Sequence, residues 1–205
     1  MSSDNPVVIF HDCRSPCNNW DLVSFKLPAP EFSFPEKIKS TELSDLPNVP
    51  VIYTSVEHRL MHYKTQLMGT EREKWEFANV KNYTDMQANN YADLRANRYA
   101  DLQTLEYIER KRIARGLKNY DDKVWSELRY PVAFEAVRAK FLQNRQIQAE
   151  IKLYPANVQF AYANETDLIW GTGLAYGHKN GADPAFWPGQ NLLGRIISEV
   201  RKELK

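Results

Sequence analysis

The sequence predicts a mainly helical α+β chain. Helical periodicity recurs in three long stretches, a further repeat segment is free of Pro and Gly, and the β-type runs are only three or four residues long. With 205 residues, 43% of them apolar, the chain can bury a real core and is expected to form one domain over 1–205.

Val7-Val8-Ile9-Phe10 opens the chain as a short β-type run, and residues 11–20 are turn-rich. Pro28, Pro30, Pro35, Pro47 and Pro50 exclude a long helix over 26–50, which reads as extended segments and loops. Val51-Ile52-Tyr53 is a second short strand. Thr54 and Glu57 then match the capping-box spacing of a helix start. Val56, Leu60, Tyr63 and Leu67 form its apolar stripe, and Gly69 is a natural stop.

Residues 75–112 differ in character. Three eight-residue units, Asn82–Asn89, Asn90–Asn97 and Arg98–Leu105, follow one another without Pro or Gly, so helix is expected. Eight residues at about 100° each rotate the pattern by roughly 80° per unit, so Tyr83, Tyr91 and Tyr99 cannot share a face and a standard coiled coil is not expected. Two readings stay open: a helical extension with rotating contacts, and an arm for protein contacts or oligomerisation. A strong helix follows over 121–149, carried by Trp125, Leu128, Val132, Val137 and Phe141, with Pro131 expected to bend or divide it. The stretch from Ile147 to Phe160 ends strand-like, 171–191 is Gly-rich loop, and Leu192–Leu204 is a closing helix with Leu192, Leu193, Ile196, Ile197 and Val200 inward.

The totals exclude several classes of function. Lys plus Arg is 27 and Asp plus Glu 26, so the net charge of +1 gives no reason to expect tight nonspecific binding to nucleic acid. Cys13 and Cys17 cannot build a disulfide scaffold, and the chain reads as cytoplasmic. The start MSSDNPVVIF lacks the pattern of a secretory signal, and no apolar run approaches the ~18 residues of a membrane span, so no membrane partner is expected.

Four constellations are candidates for chemistry. Glu57 and Lys64 are seven residues apart, nearly two helical turns, so both side chains point the same way. A partly desolvated Lys has a lowered pKa and can attack a sugar aldehyde, and a nearby carboxylate can move protons. A cap for Glu57 and a solvated charge for Lys64 are the simpler alternatives. His58 and His62 have the i, i+4 spacing of metal ligands but no evident third ligand, and His11 with Cys13 and Cys17 lacks the spacing of a zinc knuckle, so no metal or other cofactor is expected. In Asp167-Leu168-Ile169-Trp170-Gly171-Thr172-Gly173 an aromatic able to stack on a base precedes two glycines that let amides approach a phosphate. A core Trp beside a tight turn is the alternative. Asn191, in Trp187–Gly194, stands where the last helix begins, either to help hold phosphate at free helix amides or as an N-cap.

Together these pieces resemble the NADAR (YbiA-like) family. Ser15-Pro16-Cys17-Asn18-Asn19-Trp20 is similar to the family's SPFSNF element, with Cys and Asn where Phe and Ser are usual. Glu57 to Lys64 is similar to its EHxxQxxK helix. Trp125 to Asn144, with Arg129 and Ala139-Lys140-Phe141, resembles its W…R…aKFxQN stretch. Asp167 to Gly173 resembles DxxWGxG, and Trp187 to Gly194 with Arg201 resembles WxGxNxLGxxLMxVR. Residues at about 70–112 match no family element and read as a helical insert.

The resemblance implies a YbiA-like, predominantly helical α+β domain with a phosphoribosyl pocket, and N-glycosidase activity on a ribose C1–N bond. It implies Glu57, Lys64 and Asp167 as catalytic residues. It implies Asn19, Trp20, Trp125, Arg129, Trp170, Gly171, Gly173, Asn191 and Gly194 as substrate-binding residues. The ligands it implies are ADP-ribosyl or phosphoribosyl small molecules, with ADP-ribosylated guanine in nucleic acid the preferred substrate. A phosphoribosylamino-pyrimidine of riboflavin synthesis is the alternative substrate, and a non-catalytic ADP-ribose reader the alternative class.

Overall fold

The structure, a computed structural model, describes residues 6–11, 17, 23–27, 51–80 and 96–204, the last of these with backbone only over 96–105. Its elements are strands β1 (Val7–Phe10), β2 (Phe25–Leu27) and β3 (Val51–Tyr53) and helices α1 (Val56–Met68), α2 (Glu71–Ala78) and α3 (Ala96–Arg115), followed by α4 (Asp122–Gln143), α5 (Arg145–Lys152), β4 (Gln159–Tyr162) and α6 (Leu192–Glu203). The class is α+β and mainly helical, as the periodicity requires. Contacts divide the chain into two compact units, Glu57–Val132 and the remainder, and α4 contributes its first half to one and its second half to the other.

In the larger unit β1 pairs with β4 in parallel, from Val7↔Gln159 to Phe10↔Tyr162, and β2 pairs with β3 antiparallel. Parallel pairing needs a long crossover, and nearly the whole chain supplies it. Helix α6 packs on β4. It buries Leu193, Ile196, Ile197 and Val200 against Phe160 and Ala161, all 0–1% exposed. Each such side chain contributes about 1.5–3 kcal/mol of gross burial.

Two side-chain amides act as extra backbone in this unit. Gln143, the last residue of α4, accepts from the Lys26 N–H at 2.7 Å and donates to the Lys26 carbonyl at 2.6 Å. Asn191, just before α6, accepts from the Tyr162 N–H and donates to the Phe160 carbonyl, both at 2.9 Å. Each carboxamide docks a helix end on a strand edge, because its C=O and N–H₂ reproduce the peptide pairing pattern.

The smaller unit is built on Met61 of α1, Phe77 of α2 and Ile113 and Ala114 of α3, with Val80 and Tyr107 packed alongside. Thr70 and Glu73 form a hydrogen-bonded capping box at the start of α2. Helix α1 begins at Val56, two residues after Thr54, and ends before Gly69, the expected stop. Much of the eight-residue repeat lies outside the described residues, but its last part enters α3.

One expectation needs correction. Pro131 does not divide the 121–149 helix: α4 runs through it, and the break falls at Asn144. Pro131 is exposed, whereas Arg129, Val132, Ala133, Ala136 and Val137 are buried along the same helix. Their burial offsets the roughly 3 kcal/mol cost of an internal Pro. Asn144 has extended backbone and directs its amide to the Lys140 carbonyl at 2.7 Å, which competes with continued helix.

Candidate active site

In the smaller unit Glu57 and Lys64 project from α1, both half-buried. The Lys64 Nζ lies 5.3 Å from the Tyr120 ring centre and 6.0 Å from that of Trp125, within range of cation–π attraction to both. Burial lowers the proton affinity of Lys64 below the ordinary lysine range. Glu57 opposes that shift, and Arg115 and Arg129 reinforce it. Glu57 also acts on Lys111 of α3, which donates a hydrogen bond to the Tyr107 hydroxyl at 2.6 Å.

Helix α4 supplies the opposite wall. Trp125 and Arg129 are one turn apart and both buried. Arg129 bonds Asp122 at 3.2 Å, and Asp122 accepts from the Tyr120 hydroxyl at 2.7 Å. Partial burial, then this hydrogen bond, push the Tyr120 phenol up to about 12, so it stays protonated near neutrality. Glu57, Lys64, Trp125 and Arg129, predicted from separate sequence elements, thus belong to one cluster. Sequence reading did not single out Tyr120, Asp122, Lys111 or Arg115, since none of them stands in a recognisable pattern.

His58 and His62 lie beside the Phe77 ring, at 6.2 and 5.6 Å. Burial, reinforced by Arg110 for both and Arg59 for His62, lowers them to about 3 and about 4, so both are neutral near pH 7. Among the described residues no group of three or more His, Cys, Asp or Glu side chains is arranged to hold a metal.

In the larger unit the Asp167–Gly173 turn and the start of α6 are joined by hydrogen bonds. Asp167 Oδ1 accepts from the Ile169 and Trp170 amides at 3.0 and 2.8 Å, so this carboxylate organises its own turn. The amides of Asn191, Leu192 and Leu193 donate to the carbonyls of Gly171, Ile169 and Trp170. The first amides of α6, expected to face a phosphate, are therefore engaged by protein. Asn191 makes no cap bond; it sits at φ 49° with its amide committed to β4.

Packing accounts for the glycines. A Cβ on Gly194 would lie 2.2 Å from the Phe160 carbonyl oxygen, and one on Gly171 2.9 Å from that of Asp167. Gly173 adopts φ 74° and is enclosed by Leu168 and Pro188. Trp170 is half-buried. Arg201, part of the last sequence element, donates to the carbonyls of Tyr154 and Lys152 at the end of α5. A separate cavity of about 390 Å³ in this unit is lined by Phe10, His11, Cys17, Glu150, Tyr154 and Tyr176 among others, and by none of the predicted site residues that are described. Asn19 and Trp20 lie outside the described residues. No helix among those residues is long and apolar enough to cross a membrane.

The NADAR domain model matches residues 28–205, so the Ser15–Trp20 element precedes the matched region. N-glycosidase R617 of Acanthamoeba polyphaga mimivirus is 30% identical over 93 residues, which are 45% of this chain and 54% of that protein. Protein irg-1 of Caenorhabditis elegans is 34% identical over 82 residues, 40% of this chain and 38% of that protein. The matched regions thus span about half or less of these curated relatives. The NMR structure of the E. coli protein YbiA superposes with a TM-score of 0.56 at 17% identity, covering 98% of this chain and 86% of that one, and shares the fold.

Proposed function

Because the chain belongs to the NADAR domain family, we propose that it is an N-glycosidase that breaks a ribose C1–N bond, and that its substrate is an ADP-ribosylated guanine in nucleic acid. The relative named as an N-glycosidase supports the reaction type. The observation that carries the reading is Lys64, partly desolvated between Tyr120 and Trp125 and electrostatically coupled to Glu57. Such a lysine has a raised fraction of neutral amine, the form that attacks carbon.

The C1–O4′ bond opens, O4′ takes a proton, and C1 is left as an imine to the base nitrogen. The neutral Lys64 amine adds to C1. The base nitrogen departs with the bonding electron pair and a proton, leaving an iminium between C1 and Nζ. Water adds to C1 and the C1–Nζ bond breaks, which returns the amine and releases the sugar aldehyde. Glu57 is the preferred proton carrier, since Asp167 Oδ1 already accepts two backbone amides. Trp125 walls the site. The cations Lys111, Arg115 and Arg129 near Lys64 suit a substrate bearing phosphates.

The test is incubation with ADP-ribosylated guanine DNA, with the phosphoribosylamino-pyrimidine and with NAD, followed by assay of released sugar. Release from the DNA alone supports the full reading; release from the pyrimidine alone keeps the reaction and replaces the substrate. Lys64→Met should abolish turnover, and borohydride should trap a sugar on Lys64 of the unsubstituted protein. Undiminished activity of Lys64→Met would refute the covalent route.

A further inference from the structure

The segment between α3 and α4 carries Tyr120, and its hydrogen bonds lead to an unexpected place. Glu73 lies in the first turn of α2 and is buried. Its Oε2 accepts from the amide and hydroxyl of Thr70 at 2.7 and 2.8 Å, completing the cap of its own helix. Its Oε1 reaches across 45 residues to accept from the Lys118 amide at 3.1 Å. A helix cap does not require that second bond. These hydrogen bonds, the Thr70 amide foremost and the Lys118 amide among them, hold the Glu73 carboxyl below the usual range, so it is ionised and a strong acceptor.

The segment is tied at two further points. The Asp121 amide contacts the Met68 sulfur at 3.4 Å, and Asp121 Oδ1 accepts from the Lys123 and Val124 amides at the start of α4. Between these ties stands Tyr120, with its hydroxyl on Asp122 and its ring nearer to the Lys64 amine than Trp125. Tyr120 is 43% exposed, so it forms the outer wall of the site.

We propose that Glu73 is a positioning residue for the site: by bonding the Lys118 amide it holds the 117–121 segment so that the Tyr120 ring closes one side of Lys64. This rests on the reading of Lys64 as the nucleophile. The charged and titratable groups acting on Lys64 are Glu57 from α1, Arg115 from α3 and Arg129 from α4. Tyr120 and Asp122 border them. None of these groups changes when Glu73 is replaced, so a change at Lys64 reports movement of the segment.

The test needs no turnover. The full chain is labelled competitively with acetic anhydride across a pH series, with N-acetyl-lysine amide added as the internal reference, and the Lys64 peptide is read by mass spectrometry. Lys64 of the unsubstituted protein should titrate below that reference. Glu73→Ala and Tyr120→Leu should each move the Lys64 curve toward the reference, by about half to one pH unit, which makes its neutral fraction near neutral pH about three- to tenfold smaller. Thr70→Ala removes one partner of the α2 cap but spares the Lys118 bond, so it should lower stability and leave the Lys64 curve in place. An unmoved curve in folded Glu73→Ala, or an equal movement in Thr70→Ala, overturns the proposal. A Lys64 that already titrates like the added reference in the unsubstituted protein overturns it as well. If Lys64 responds to Glu73→Ala but no substrate is cleaved, the positioning stands and the glycosidase reading falls.

Discussion

Replacing Asn191 by Ala separates a sheet-pairing side chain from a ligand-binding one. In the native protein this amide is 1% exposed and pairs with both the Tyr162 N–H and the Phe160 carbonyl. Ala leaves those two strand groups without a partner, at about 1–3 kcal/mol each. The position also has φ 49°, a left-handed conformation that Asn tolerates and that costs Ala about 1–2 kcal/mol. With partial relaxation the total destabilisation is about 3–6 kcal/mol. For a chain of this size that lowers the melting midpoint by about 6–24 °C. Thermal and urea unfolding near neutral pH measure it directly. Asn191→Gly removes the same hydrogen bonds without the backbone strain, so it should unfold about 1 kcal/mol less readily than the Ala variant. An Ala variant with an unchanged midpoint but weakened ligand binding would refute the sheet-pairing assignment and return Asn191 to the substrate.

Other outcomes follow from the same geometry. His58 and His62 are depressed from 6.5 to about 3 and about 4, so the fold favours their neutral forms; their contribution is complete above pH 6.5 and is lost as pH falls through the interval down to those values. At pH 5 each shift amounts to about 2 kcal/mol, and His62→Gln should flatten the acid side of a denaturation series. Gly194→Ala forces a Cβ against the Phe160 carbonyl and should destabilise by about 1–3 kcal/mol or prevent folding, as read by circular dichroism melting. Asp167→Asn keeps an oxygen to accept the Ile169 and Trp170 amides, so its melting midpoint should stay within about 4 °C of the parent. Its turnover then reports on chemistry alone, and a loss beyond a hundredfold would restore Asp167 as a proton carrier. Lys64 should place the rising limb of the pH–rate profile below the ordinary lysine range, as seen by comparing initial rates across pH.

Periodic features were legible from residue order because they arise within one element. The apolar stripe of α1 sets which way Glu57 and Lys64 face, and the inward positions of α6 are those that its spacing demands. Gly69 ends its helix where expected. The membership of Trp125 and Arg129 in the Lys64 cluster was reached through family resemblance, since nothing in the spacing between α1 and α4 announces it.

Roles that depend on a distant partner were not legible in this way. A carboxamide at a helix start can cap the helix, hold a phosphate or pair with a strand, and these are equivalent until a strand edge stands beside it. Asn191 pairs with β4 because packing of α6 brings it there, and Gln143 meets Lys26 across 117 residues for the same reason. Glu73 reads locally as a cap, and its second bond exists because α2 and α3 pack together and bring Lys118 within reach. Local chain geometry sets the direction of each side chain, whereas hydrogen-bond partners come from whatever long-range packing sets alongside, and that depends on every buried contact at once.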